Sequence, residues 1–463
     1  MSIDLTLERI QRLARHFPPY TRPTCHIAGT NGKGSVSALV SSMLSTSVPP
    51  LSIGRFNSPH LVSVNDSIVI NGQNISSEVY EQARAEVVRT DTEHEIGASS
   101  FEILTLAALL IFERAQLDVV ILEVGMGGAA GRNEYHLGRP FLGTSVSAIA
   151  AEKAAIARKG KPFVMGGQTD PDIETVVANV VKAAGAELLY ALPVLTRSWD
   201  VAIDGPAPPP FSLSATPFVP PPPLPVRFSM PCFEHPVHAL LPLHGEHQLD
   251  NLALAVSVVS AVLMDSAWTA IRARFTNAAI ARGIRNVEWP GRLSFHTLNS
   301  PPLLVLADGA HNPASAKTLG AYISDLVTLH RESAPSRSLS LTYILALSHS
   351  PPKTPRETLA PLLPLDAPQD LQVDVGVALL SFTPPDGMPW VKSVPPGELQ
   401  EVVKSLAPGT ETWVDATETS GGLRRALDWA AGRGGQDGLV VLAGSLYLVA
   451  DFYRLGTWNA AAT

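Results

Sequence analysis

The chain has 463 residues, 45% of them hydrophobic and 16% charged, with a formal net charge of −8. That length and apolar content predict two or three domains with large buried cores, and disorder is not the default state. The acidic balance argues against nucleic-acid and anionic-membrane partners. The only two cysteines, Cys25 and Cys232, supply neither a disulfide framework nor metal-ligand spacing, which fits a reducing compartment.

In chain order, residues 1–17 read as an amphipathic helix, with Asp4 and Glu8 among the arginines and no signal-peptide core. The cytosol is therefore the expected compartment, with a mitochondrial address as the alternative. No apolar run is expected to reach the length of a membrane span. CHIAG is predicted to be a buried strand, and it runs into Gly29-Thr30-Asn31-Gly32-Lys33-Gly34-Ser35 before a helical pattern begins. Three glycines leave backbone N–H groups free to turn toward an anion. Lys33 adds a point charge, and the following helix adds its N-terminal partial positive charge. Ser35 is placed to ligate the magnesium that accompanies ATP. This is a phosphate cradle, although its spacing is not that of the standard P-loop.

FEILTLAALLIFERAQ is predicted to be a helix and LDVVILEVGMGG a buried strand ending at Glu123. Buried runs alternating with helices imply a parallel sheet covered on both faces, with ligands at the carboxyl ends of its strands. Residues 205–225 hold ten prolines and are read as an exposed, extended loop inserted in the first domain. A helix is expected to begin near His247, with His247 and Asn251 on one face. A strand at 303–308 ends in Asp308, and a strand, turn and helix follow near the C-terminus. Residues 350–368 are read as a second Pro-rich loop. The domains are placed at 1–292 and 293–463.

Nine segments in this order carry a specific resemblance: HIAGTNGKGSV, SPHLVSVNDSIVING, SFEILTLAALLIF, EVGMGG, IAAEKAAI, LHGEHQLDNLALAV, WPGRL, DGAHNP and GSLYLVADF. Together they resemble the folylpolyglutamate synthase/dihydrofolate synthase branch of the Mur ligases, over residues from about 5 to about 455. VNDSIVING and GMPW look closest to the fungal dihydrofolate synthases. The resemblance implies a Mur-ligase-like α/β fold, a parallel-sheet ATPase domain followed by a smaller α/β domain that brings the amino acid. It also implies ATP-driven amide formation: a carboxylate is phosphorylated by ATP with magnesium, and the amine of L-glutamate then displaces phosphate. Dihydropteroate is the substrate expected. Tetrahydrofolate already carrying glutamate is the near alternative, and a nucleotide-binding protein without catalysis is the rival from another class. The partners implied are small molecules, acting on a monomer.

By the same resemblance, Lys33 holds the β- and γ-phosphates and Glu123 ligates magnesium. Ser58 and His60 lie in a loop closing over the phosphates and substrate, with Ser58 near the metal. Lys153 is a carbamate bridging a metal. Asn251 and Arg292 contact the nucleotide, as does Asp308, and His311 lies by the phosphates. One interval departs from the pattern. After EVGMGG the chain reads GGAAGRNEYHLGRPFLG, where the family has a segment resembling GGRLDATN, a further buried strand and an Asp-His pair. Arg132, Asn133 and His136 lie nearby but out of register. The interval from Glu123 to Lys153 is thus expected to be short by about one strand and its loop.

Overall fold

The computed structural model describes residues 7–123, 145–168, 170–333, 338–349, 353–385, 391–415, 421–434, 438–456 and the backbone of 458–460. The chain divides into two compact units. The first holds residues up to Trp199, Pro225–Leu241 and Gln248–Val287; the second holds Asp200–Leu224, Pro242–His247 and Glu288 onward.

The strands are β1 Thr24–Ile27, β2 Ile53–Phe56, β3 Ile68–Ile70, β4 Gln73–Asn74, β5 Val119–Glu123, β6 Pro162–Met165, β7 Glu187–Tyr190, β8 Leu195–Thr196, β9 Leu224–Phe228 and β10 Val237–Leu241. Further on come β11 Ser294–Asn299, β12 Pro302–Ala307, β13 Ser338–Leu345, β14 Gln372–Leu379, β15 Glu411–Val414, β16 Gly438–Ala443 and β17 Trp458–Ala460. In the first unit the main sheet has the order β1-β5-β2-β3-β4. β5 pairs in parallel with β1 and β2, so the phosphate loop after β1 and Glu123 at the end of β5 share one edge. β6 and β7 form a two-stranded parallel sheet of their own.

Among the described residues β1 is an edge strand, and only Ile27 in it is buried, which corrects the expectation of a buried strand. A phosphate-loop strand in a sheet covered on both faces belongs in the interior. The interval expected to lack a strand, with Arg132, Asn133 and His136, lies outside the described residues.

One face of the main sheet is covered by the helix Ser100–Arg114, whose Phe112 packs with Phe56 and Val120. The helix is opened by a capping box of Ser99 and Glu102. The helix His247–Met264 is, among the described residues, long and apolar enough by length and composition to cross a membrane, contrary to the expectation above. Leu252, Ala255, Val256, Val259 and Leu263 are nonetheless buried in the protein core, and its first turn is the polar HQLDN.

The second unit is built on a seven-stranded sheet in the order β15-β14-β13-β16-β12-β11-β17. β16 lies between β13 and β12, parallel to both, and all six of its residues are buried. Its core absorbs the Pro-rich segment. Leu213 is buried there, and Phe211 and Phe218 pack against it. Leu213 N–H donates to His330 Nδ1 at 3.3 Å. Residues 205–224 are therefore a strap on the second unit rather than a solvated loop of the first. Prolines exclude helix, but three apolar side chains still seek burial. Within 350–368, Pro355–Leu359 is a short helix with Pro at its start and a Thr354–Glu357 capping box, so that segment is not wholly loop.

Candidate functional site

The phosphate loop is shaped by close backbone approach. Gly32 has φ +82°, and a Cβ there would fall 2.2 Å from Asn251 Oδ1. Only glycine meets both demands at low cost. Helix Lys33–Leu44 starts immediately after it, with Gly32 as its cap and no side-chain cap hydrogen bond among the described residues. The leading N–H groups and the helix dipole suit an anion.

Asn251 Nδ2 donates to Gln248 Oε1 at 2.9 Å, and Gln248 Nε2 donates to Ser35 Oγ at a long 3.4 Å. The Asn251 partner is thus Gln248, one turn away, rather than His247, whose ring lies against Gly245. Lys153, on helix Val146–Ala154, donates from Nζ to the Gly29 carbonyl at 3.0 Å and braces the loop. A carbamate at Nζ keeps one N–H, so the modified form implied by the resemblance still has a donor for this contact. Behind the loop, desolvation of the half-buried Cys25 side chain pushes its thiol up to about 12, which favours the neutral form.

Glu123 is 7% exposed. Lys33 Nζ lies 3.6 Å from its Oε1, and Asn57 Nδ2 donates to its Oε2 at 2.8 Å. Ser58 Oγ is buried and has no hydrogen-bond partner among the described residues. His60 is also buried, at 8% exposure. The loop carrying Ser58 and His60 is fixed by Asp66, whose carboxylate accepts the backbone N–H groups of Leu61, Val62 and Ser63 at 2.9, 2.7 and 3.0 Å. Sequence reasoning singled out neither Asn57 nor Asp66, although Asp66 stands inside the VNDSIVING segment. The signal was a carboxylate three residues after Ser63, the spacing of a capping box. Two hydroxyls and one carboxylate are hard oxygen donors, the set magnesium takes. The orphaned Ser58 hydroxyl adds a group that a metal or phosphate would satisfy.

The second unit carries a tight turn of its own. Asp308 follows β12 and is buried. Its Oδ2 accepts from Leu293 N–H at 2.9 Å and its Oδ1 from Ala310 N–H at 2.8 Å. Burial raises the carboxyl, against the lowering effects of Arg292 and those two N–H groups. Leu293 is held at φ +46°, a strained conformation for a branched side chain, and Asp308 holds it there. The Arg292 guanidinium lies across Gly309, where a Cβ would be 2.4 Å from Nη1. His311 is exposed and donates from Nδ1 to the Gly309 carbonyl at 2.8 Å. The structure therefore brings Lys33, Ser35, Asn251 and Lys153 together around the loop and sets Glu123 beside Lys33. Arg292, Asp308 and His311 cluster in a separate turn.

Comparison with known proteins bears on the family and the fold. Residues 291–455 match the family described as "Dihydrofolate synthetase, C-terminal domain". The dihydrofolate synthetase of Saccharomyces cerevisiae is 30% identical, covering 98% of this chain and 98% of its own. That alignment runs over 487 positions against 463 residues here, so it opens gaps in this chain. The probable dihydrofolate synthetase of Schizosaccharomyces pombe is 28% identical, over 98% of this chain and 99% of its own. The folylpolyglutamate synthase of Mycobacterium tuberculosis, solved with ADP, superposes with a TM-score of 0.74 at 24% identity, over 99% of this chain and 96% of that one. The Mur-ligase-like α/β fold expected from the sequence is the fold present. With a 30% identical relative matched end to end, the chain belongs to the folylpolyglutamate synthase/dihydrofolate synthase family.

Proposed function

We propose that the chain is a dihydrofolate synthase, an ATP-dependent ligase that joins L-glutamate to dihydropteroate through an acyl phosphate and releases ADP and phosphate. The observation that carries this reading is the phosphate loop with Lys33 beside Glu123, in a chain matched over its whole length by relatives named dihydrofolate synthetase. The name of the family matched by residues 291–455 supports dihydropteroate over a folate already carrying glutamate.

A carboxylate does not yield to an amine until its oxygen becomes a leaving group, and transfer of the γ-phosphoryl group achieves this. In this chain the loop N–H groups from Gly29 to Ser35 and the helix N-terminus bind the phosphates. The Lys33 ammonium neutralises charge on the β- and γ-phosphates as it accumulates on the transferring oxygens. Ser35, Ser58 and Glu123 would hold the magnesium, which supplies Lewis-acid polarisation of the phosphoryl oxygens. Lys153 keeps the loop in shape through Gly29, as an ammonium or as a carbamate that adds an oxygen ligand. Asn251 closes the loop side of the site and contacts the nucleotide. His60 lines the substrate side of the Ser58 loop. In the second unit Arg292 and His311 supply a cationic and a hydrogen-bonding group for the nucleotide phosphates. Asp308 serves that contact by holding the Arg292 turn. The acidic charge supports small-molecule partners, and the two free cysteines support a reducing compartment such as the cytosol; the protein is taken as a monomer.

The test is ADP release and dihydrofolate formation with ATP, magnesium, dihydropteroate and glutamate. Glutamate-dependent product should fall by roughly 10²–10³-fold in Lys33→Ala. Turnover with glutamylated tetrahydrofolate alone would move the chain to the folylpolyglutamate synthase alternative. ATP binding with no ADP from either substrate would end the ligase reading.

A further inference from the structure

The environment of Glu123 shows how its carboxylate is aimed. β2 runs parallel to β5, with Arg55 opposite Ile121 and Phe56 opposite Leu122. Side chains alternate along a strand, so Arg55, Ile121 and Glu123 share one face of the sheet. Phe56 and Val120 turn to the other, against Phe112. Asn57 follows the end of β2 and reaches the same carboxylate from the side. It is 6% exposed, and its amide donates to Oε2, while Lys33 stands near Oε1. A carboxylate only accepts, so the amide must present its NH₂ group. The two oxygens therefore do different work: one is tied to β2 and the other faces the phosphate loop.

We propose that Asn57 is a positioning residue that clamps the Glu123 carboxylate from β2, with the Arg55 charge on the same sheet face assisting it, and leaves Oε1 directed at the metal and phosphates. The proposal rests on the ligase reading above. Two supports come from physical chemistry. A buried carboxylate is costly unless paired and hydrogen-bonded, and Lys33 cannot serve as its permanent partner while holding phosphate. Burial lowers the Arg55 guanidinium, and the charge of Glu123 counteracts that effect, so the two groups interact electrostatically across the strands. Partners that orient a metal ligand matter to function nearly as much as the ligand, at about 10–100-fold in metal affinity or activity.

The experiment is a double-mutant cycle on the full chain, with Asn57→Ala, Glu123→Gln and the pair. It is read by Mn²⁺ affinity in the presence of ADP and by glutamate-dependent ADP release. Asn57→Ala should weaken Mn²⁺ by about 10–100-fold with its thermal midpoint nearly unchanged. In the Glu123→Gln background the same substitution should cost almost nothing more, because the coupled partner is already lost. Arg55→Lys should retain most of the affinity, and Arg55→Met should lose about tenfold. Asn57→Ser, a shorter donor, replaces the alanine variant if that one does not fold. Unchanged Mn²⁺ affinity, or losses that add in the double mutant, would overturn the clamp. Coupling in Mn²⁺ affinity without turnover by the wild type would keep the clamp and discard the ligase reading.

Discussion

The two units carry the same kind of element at very different depth. In the second, β16 is buried along its whole length and β13 along most of its own, between helices that fill both faces. In the first, β1 has one buried residue, β7 has none, and the packing over β6 and β7 rests on a small cluster rich in alanine and valine. The phosphate loop nevertheless follows β1, one of the shallow strands. Apolar burial scales with stabilisation, so β16 and β13 hold their sheet more firmly than β1, β6 and β7 hold theirs. The first unit spends its backbone on close approaches and polar contacts, which chemistry needs and cores do not.

The largest test of that contrast is core truncation. Leu439→Ala in β16 should cost about 2–5 kcal/mol, whereas Leu188→Ala in β7 should cost about 1 kcal/mol. Hydrogen exchange of the two sets of peptides separates them. Equal costs would break the contrast.

A second test uses pH. Burial holds His296 at about 4, below its ordinary 6.5, and its Nε2 is hydrogen-bonded to Tyr453 Oη at 3.0 Å. The unfolded chain takes up the proton first. Stability is therefore fully present above pH 6.5 and is lost as pH falls toward 4, by on the order of 3 kcal/mol. Exchange protection of the second unit should fall over that window, and His296→Phe should flatten the slope. A slope unchanged in the variant would assign the acid sensitivity elsewhere.

The smallest effect belongs to the phosphate loop. Gly32→Ala adds a Cβ at φ +82° against Asn251 and should cost about 1–2 kcal/mol. The KM for ATP should rise while the second unit's exchange pattern stays as it is. A KM for ATP equal to wild type would show that the loop tolerates side chains where the structure leaves none room.

Much of the site was legible because its signals are local. Glycines, Lys33 and Ser35 lie within a few residues, and the strand endings of Glu123 and Asp308 follow apolar runs. What was not legible depends on contacts made across the fold. Asn57 meets Glu123 from 66 positions away, and nothing near Asn57 in the chain announces that. Asp308 was expected to serve nucleotide binding, and nothing in the sequence signals that its two oxygens also accept backbone N–H groups that shape the Arg292 turn. The Pro-rich segment was placed in the wrong unit because proline content states what a segment cannot form. It does not state where Phe211, Leu213 and Phe218 will find cover. The exposed β1 has the composition of a buried strand, and the chain lacks in its described residues a neighbour on that side.

The position of β16 bears on how the protein is made. Its flanking strands β12 and β13 end at Ala307 and Leu345, while β16 begins at Gly438. On the ribosome, the two outer strands emerge well before the one that joins them. At about 5–20 residues per second, the gap amounts to several seconds during which two apolar edges wait without a partner. Sheets closed by such distant segments form slowly, and open edges invite pairing with other chains. A strand buried along its whole length is thus one whose neighbours in a growing chain must wait until residue 443 is made.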